Sequence, residues 1–402
     1  MKFRNNGMTQ AKKQTVNLSI LLLPILLSGI FNNSYSQKND LALINLLIEN
    51  IAQEQVSTKG EFYTGAFPSY RKCGGVPNNF QPDNNIFYTG IIAFTLRNLL
   101  PYLPADSKIK AEQVITNTQK AFPFYQNKQG DPFYNFWPTN TRILPHSYFV
   151  KYMNKLVGSG EDADDAVMIL MASNSNDSIC SVLKKRLITV SNLSGQKIIS
   201  TYKKYSTIPA YSTYLGLKMK PDFDFAVHCN ILYFMFDRQL PFVKQDSATI
   251  QLLSQMIQNR EYMKAPVYLS PYYVKKPVLL YHIARLMGRF TIPELEKFKP
   301  QLIADIKKVL AGTRGMMEKI ILSTSLLRLG VDAPWLSIEN IKSFENSNQD
   351  KFIFFQARAA FSLSCPFKQI FLHFPYLIYY FYCPAYNKVL WLEYLVERNR
   401  KN

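Results

Sequence analysis

The 402-residue chain has little of what holds metals or staples small folds. Its five cysteines (Cys73, Cys180, Cys229, Cys365 and Cys383) contain no C-x-x-C pair. An odd, low count at this length excludes a disulfide-dense scaffold. The four histidines, His146, His228, His282 and His373, show no metal-ligand spacing, which argues against a His/Cys zinc site. No metal and no cofactor is expected. Sustained period-two alternation is scarce, so strands should be a minority. Acid is missing from the first 39 residues, where the basic residues Lys2, Arg4, Lys12 and Lys13 precede the apolar run Leu18–Ile30.

That beginning reads as a signal peptide over residues 1–36. Ser34-Tyr35-Ser36 puts small residues where a signal peptidase looks, with cleavage before Gln37. The apolar run is short for a span and carries Pro24 and Gly29. An uncleaved anchor is the alternative. Both readings export the remainder to the periplasm, the membrane surface or the medium. The leader holds four of the 47 Lys and Arg and none of the 28 acids, so the mature part stays strongly basic. Such a chain suits peripheral contact with an anionic membrane surface or acidic glycans, and its compartment argues against nucleic acid. Scattered pairs such as Lys184-Lys185, Lys203-Lys204 and Lys275-Lys276 also fit an ordinary solvated surface.

Residues 37–402 read as one helical domain. Runs apolar on every side begin near residues 85, 164, 224, 280 and 316, and amphipathic runs lie between them. Helices apolar all round must be buried, and helices with one apolar stripe can lie outside them. An inner ring inside an outer ring satisfies both. The expected fold is therefore an all-α toroid, with an irregular bundle or solenoid as the alternative. Helices are also expected over Leu41–Gln53, Lys108–Phe122, Asp177–Val190, Ile292–Leu310, Phe352–Ser362 and Val389–Glu397, whereas Tyr148–Leu156 is short and mixed. Ser57–Asn84, rich in Gly and Pro, reads as loop.

Four acids stand within five residues at Glu161-Asp162-Ala163-Asp164-Asp165, directly before the apolar run Ala166–Met171. Adjacent carboxylates do not all ionise cheaply, so at least one is expected to keep its proton at neutral pH. A retained proton beside an apolar cavity is what general acid catalysis requires. Asp83-Asn84-Asn85 and Asp222/Asp224 likewise precede apolar runs. Helix capping accounts for them, but in a toroid the same positions converge on one central site.

Asp162-Ala163-Asp164-Asp165 has the form D-x-D-D and resembles the signature of class II terpene cyclases, the group of the squalene–hopene cyclases. The resemblance implies an α/α barrel with the motif heading an inner helix. It makes Asp164 the general acid that protonates an alkene or epoxide, with Asp162 and Asp165 in support. The implied chemistry is proton-initiated cyclisation or isomerisation of a polyprene. The Gln/Trp-rich repeats of squalene cyclases are missing, and no D-D-x-x-D run is present to hold magnesium, so diphosphate ionisation is not expected. A neutral, apolar substrate dissolved in membrane fits an exported protein better.

Aromatic residues make up 14% of the chain and supply faces for a carbocation or a sugar, as well as ordinary core. The expected substrate-binding residues are Tyr134, Phe136, Trp137, Asp224, Asn230 and Tyr281, with Phe133, Tyr233, Phe234, Tyr272 and Tyr273 as further lining. A secreted carbohydrate-active enzyme, glycoside hydrolase or lyase, is the alternative. It would set Asp164 or Asp165 against Asp224 across a glycosidic bond. Solvated carboxylates would instead indicate a non-catalytic binding protein. The very aromatic stretch Phe367–Leu395 reads as core closing the ring, with a membrane-docking patch as the alternative.

Overall fold

A computed structural model describes residues 40–77, 79–140, 160–216, 220–336, 340–360, 363–364 and 366–400. The expected leader and the short mixed segment Tyr148–Leu156 lie outside the described residues. The chain divides into two units at Ala42, and the described residues from Leu43 onward belong to the larger one.

The larger unit is mostly helical. Its first helix, α1, covers residues 43–54. The expected apolar runs form α2 (Phe87–Leu99), α4 (Ala163–Ala172), α6 (Phe225–Asp237), α10 (Lys276–Arg289) and α13 (Met316–Arg328). The amphipathic ones form α3 (Ala105–Thr118), α5 (Asp177–Thr189), α7 (Lys244–Gln258) and α12 (Lys299–Gly312). Short helices α8 (Glu261–Lys264), α9 (Pro266–Leu269), α11 (Pro293–Glu296), α14 (Ile341–Asn346) and α15 (Phe367–Phe371) turn the chain, and α16 (Pro384–Asn399) ends it.

Packing separates the two kinds of helix as their patterns require. All ten residues of α4 are buried, whereas α5 buries only Cys180, Leu183, Lys184 and Leu187. Helix α2 packs on α4, α4 on α6, α6 on α10, α10 on α13, α13 on α16, and α16 back on α2. Outside these six, α3 lies on α2, α5 on α4, α7 on α6, and α12 on α10 and α13. The α10–α13 contact is close because Gly288 has no side chain. A Cβ there would come within 2.8 Å of the Arg328 Cβ and 3.0 Å of its carbonyl oxygen.

Three expectations are corrected. Ile292–Leu310 is two helices, because Pro300 lacks an N–H and suits only a first turn. Ser57–Asn84 contributes strands β1 (Tyr70–Cys73) and β2 (Gln81–Pro82). In the stretch expected as a helix over Phe352–Ser362, residues 352–360 are not helical and instead hold β5 (Phe355–Arg358), which pairs antiparallel with β6 (Ile378–Tyr382). Pairing and a Phe355–Phe381 ring stack at 4.7 Å override the local helical pattern. The sheet order is β2-β1-β6-β5, and a second pair joins β3 (Tyr134–Asn135) to β4 (Glu161–Asp162). Among the described residues no helix is long and apolar enough to cross a membrane.

Candidate functional site

The acid cluster sits where β4 passes into α4. Asp162 is the N-cap, and its Oδ1 accepts the Asp164 N–H at 2.7 Å. Capping is therefore one real role of the motif. The pairing of β3 with β4 sets Tyr134 opposite Asp162 and Asn135 opposite Glu161. A bridge from Asp162 to Tyr214 holds the other side. The carboxylates are not solvated: Asp164 is 6% and Asp165 1% exposed, and Asp162 is only partly exposed.

The three aspartates differ in their partners. Asp164 accepts from Asn230 Nδ2 at 2.6 Å on Oδ1 and from the Tyr273 hydroxyl at 2.5 Å on Oδ2. Burial raises its pKa, and these two bonds and the charge of Arg285 oppose the rise. Asp165 has no such help, because neither of its oxygens has a hydrogen-bond partner among the described residues. Burial, then the charges of Asp162 and Asp164, hold it well above the usual carboxylate range. Asp162 is pushed up by burial and by Asp164, against the backbone N–H groups it caps. Asp164, with two donors and a guanidinium charge to support it, is the member best able to carry a charge, and Asp165 the one least able.

A fourth carboxyl comes from the neighbouring helix. Asp224 caps α6, accepting from the N–H of Ala226 at 2.9 Å and of Val227 at 3.2 Å. The Ser270 hydroxyl at 2.6 Å and the Tyr272 N–H at 3.3 Å add to this. Burial pushes its pKa up to about 7 despite these donors, with Asp164 contributing. Asp222 is not a cap. Its Oδ1 accepts from Ser200 Oγ at 2.5 Å and lies 3.7 Å from Lys368 Nζ. Asp83 does not cap α2 either, for that helix starts at Ile86 without a side-chain cap. Its carboxylate takes the Trp137 indole N–H at 3.1 Å and the Arg71 Nε at 3.1 Å.

The aromatic residues fall into place around this start. Phe136 packs edge-on to Trp137, Phe355 and Phe381. Phe87 links Phe355 to Tyr273, with ring centroids 5.0 and 6.1 Å away. Tyr281 is not in this group. Its hydroxyl donates to Glu393 at 2.7 Å, within a second polar cluster that contains Arg328. The two clusters join through Arg285, whose Nη2 donates to Asn230 and whose guanidinium lies over Phe94 and Tyr281. One polar chain thus draws on α4, α6, α10, α13 and α16.

The structure brings together Asp162, Asp164, Asp165, Asp224, Asn230 and Tyr134. Sequence reasoning missed Ser270, Tyr214 and Arg285. Arg285 was the legible one, since a guanidinium inside an apolar helical run requires a buried acceptor. Among the described residues no group of three His, Cys, Asp or Glu is placed to hold a metal ion. Comparisons with protein-family models, with curated proteins and with solved structures give no match to this chain.

Proposed function

We propose that the six mutually packed helices are the inner ring of an α/α toroid. In this reading the acids heading α4 are the proton source for isomerisation or cyclisation of a neutral polyprene. The observation that carries the reading is Asp165, a buried carboxyl that has no hydrogen-bond partner among the described residues and feels the charges of Asp162 and Asp164. A helix cap needs one acceptor, and capping gives no reason for a second acid held neutral beside it.

The roles follow from the partners. Asp162, the least buried of the three, donates its proton to an alkene, forming a C–H bond from the alkene electron pair. Asp165 lies behind it as a proton reserve. Asp164, fixed by Asn230 and Tyr273, keeps the charge that holds the other two protonated. This moves the donor two positions, from the middle to the first aspartate of the resembled motif. The cation left on the more substituted carbon is attacked by a second double bond or loses a proton directly. The proton returns to a carboxylate, and mass is unchanged. The faces of Phe87, Phe136 and Phe355 suit such a cation.

The test is incubation of the protein with membrane lipid extract, followed by a search for isomerised polyprenes of unchanged mass. The expected result is product with the wild type and none with Asp162→Asn or Asp164→Asn, each folded as judged by circular dichroism. Full activity in both variants overturns the reading. Asp224 favours a second one. A carboxyl titrating near 7 on a separate helix could pair with Asp162 across a glycosidic bond. Release of soluble sugars from polysaccharide, lost in Asp224→Asn, would establish that reading instead.

A further inference from the structure

Helix α15 and the turn after it present a row of apolar side chains to the outside. Phe367 is 56% exposed and Ile370 64%, with Phe371, Phe374 and Tyr376 also exposed. The rings of Phe374 and Tyr376 lie 5.5 Å apart. Five large apolar groups within ten residues form a patch rather than scattered exposure. Only the later part of this aromatic stretch is core, as buried strand β6 and helix α16.

The patch is held rigidly from beneath by two buried cations. Lys368, 1% exposed, points inward, donating to the Ser200 carbonyl at 2.7 Å and lying over the Tyr268 ring. Arg358 bonds the Leu372 carbonyl at the end of the turn. A lysine drawn inward while its phenylalanine neighbours face solvent reverses the usual order of burial. The reversal fixes the apolar groups outward.

Charge tells what the patch faces. The chain has no Asp or Glu between Asp350 and Glu393, nor between Asp177 and Asp222. The Lys368–Ser200 contact joins these two acid-free segments. Beside Ser200 stand exposed Lys197 and Lys203 and the exposed side chain of Ile199. Lys204 is committed to Glu261. Asp222, 3.7 Å from Lys368 Nζ, is fully buried, so exposed aromatic and aliphatic groups tied through Lys368 and Ser200 to a segment with exposed lysines suit an anionic lipid surface, which takes rings at the headgroup level and attracts the cations.

We infer that α15 and its following turn, with Lys197, Lys203 and Ile199, form a docking face for an anionic membrane. The inference does not depend on the reaction proposed above. The experiment uses the full chain and vesicles of phosphatidylcholine with or without phosphatidylglycerol. Its variants are Phe367→Ser/Ile370→Ser and, separately, Phe371→Trp. The leader is itself apolar, so the comparison is between variants that share it. The double variant should bind anionic vesicles about tenfold more weakly at unchanged melting temperature, since its side chains are exposed. Brominated lipid should quench the new tryptophan at 371 beyond the wild-type level. Lys197→Gln/Lys203→Gln should weaken binding only to the anionic vesicles. Equal binding by the double variant, or no added quenching at 371, overturns the inference. So does a dimer in sedimentation that the double variant abolishes, because a second copy would then cover the face.

Discussion

The Tyr273 hydroxyl donates to Asp164 at 2.5 Å, joining the start of α10 to the start of α4 across 109 positions of sequence. The bond favours the charged carboxylate and so opposes the rise that burial imposes. Tyr273→Phe should therefore move the Asp164 titration to higher pH, read by carboxyl carbon NMR. It should also lower stability by about 1–3 kcal/mol, the usual cost of losing a buried bond to a charged group. An unmoved titration would mean that Tyr273 only fills space.

Asp165→Asn tests the retained proton directly. Asn matches the shape of a neutral carboxylic acid. A carboxyl pushed up in the folded state binds a proton there that the unfolded chain releases above about pH 4. Its contribution is complete below that pH and is lost as pH rises through the folded value. The variant should thus match the wild type near pH 4 and exceed it at pH 7 in urea unfolding. A variant less stable at pH 7 would show that Asp165 is charged and paired.

Much of the helical packing was legible because it is a consequence of burial. Helices such as α4 and α6, apolar on every side, can only be internal, and α5 and α12, with one stripe, only external. The acids heading α4 were equally visible as a run. Strand β5 was not, because Phe355 finds its reason in Phe381, which stands 26 positions later and on no local pattern. The capping assigned to Asp83 and Asp222 failed for a similar reason. Arg71, Trp137 and Lys368 reach them from distant segments and outcompete the local backbone. Tyr281 carried no signal of its depth. Its place follows from Glu393 on the last helix.

The second polar cluster should be sensitive to its balance of charge. Arg328 pairs with Glu393, which also accepts from Tyr281, and all three are buried or nearly so. Removing one partner of a buried pair leaves an uncompensated charge. Arg328→Met should cost about 3–5 kcal/mol. Arg328→Met with Glu393→Gln should recover most of that loss, measured as a double-mutant cycle by urea unfolding. Additive losses would show that packing of the side chains, not charge, is what the pair supplies.

His228 and Asp224 act on stability with opposite sign. His228 is buried, with Nε2 2.8 Å from the Tyr211 carbonyl, and burial pushes its pKa down to about 4. The unfolded imidazole takes its proton near pH 6.5, so stability falls as pH drops from 6.5 to 4. Asp224, pushed up to about 7, holds a proton in the fold that the unfolded chain loses near pH 4. Its stabilising contribution falls as pH rises from 4 to 7. Each group is worth up to roughly a tenfold change in the folding equilibrium per pH unit, and between pH 4 and 6.5 the two offset each other. His228→Gln keeps a donor for the Tyr211 carbonyl and removes the imidazole. Its stability should then decline more steeply than the wild type from pH 4.5 to 6.5, and run parallel to it above pH 7. Parallel profiles throughout would mean that His228 is not buried as a neutral ring.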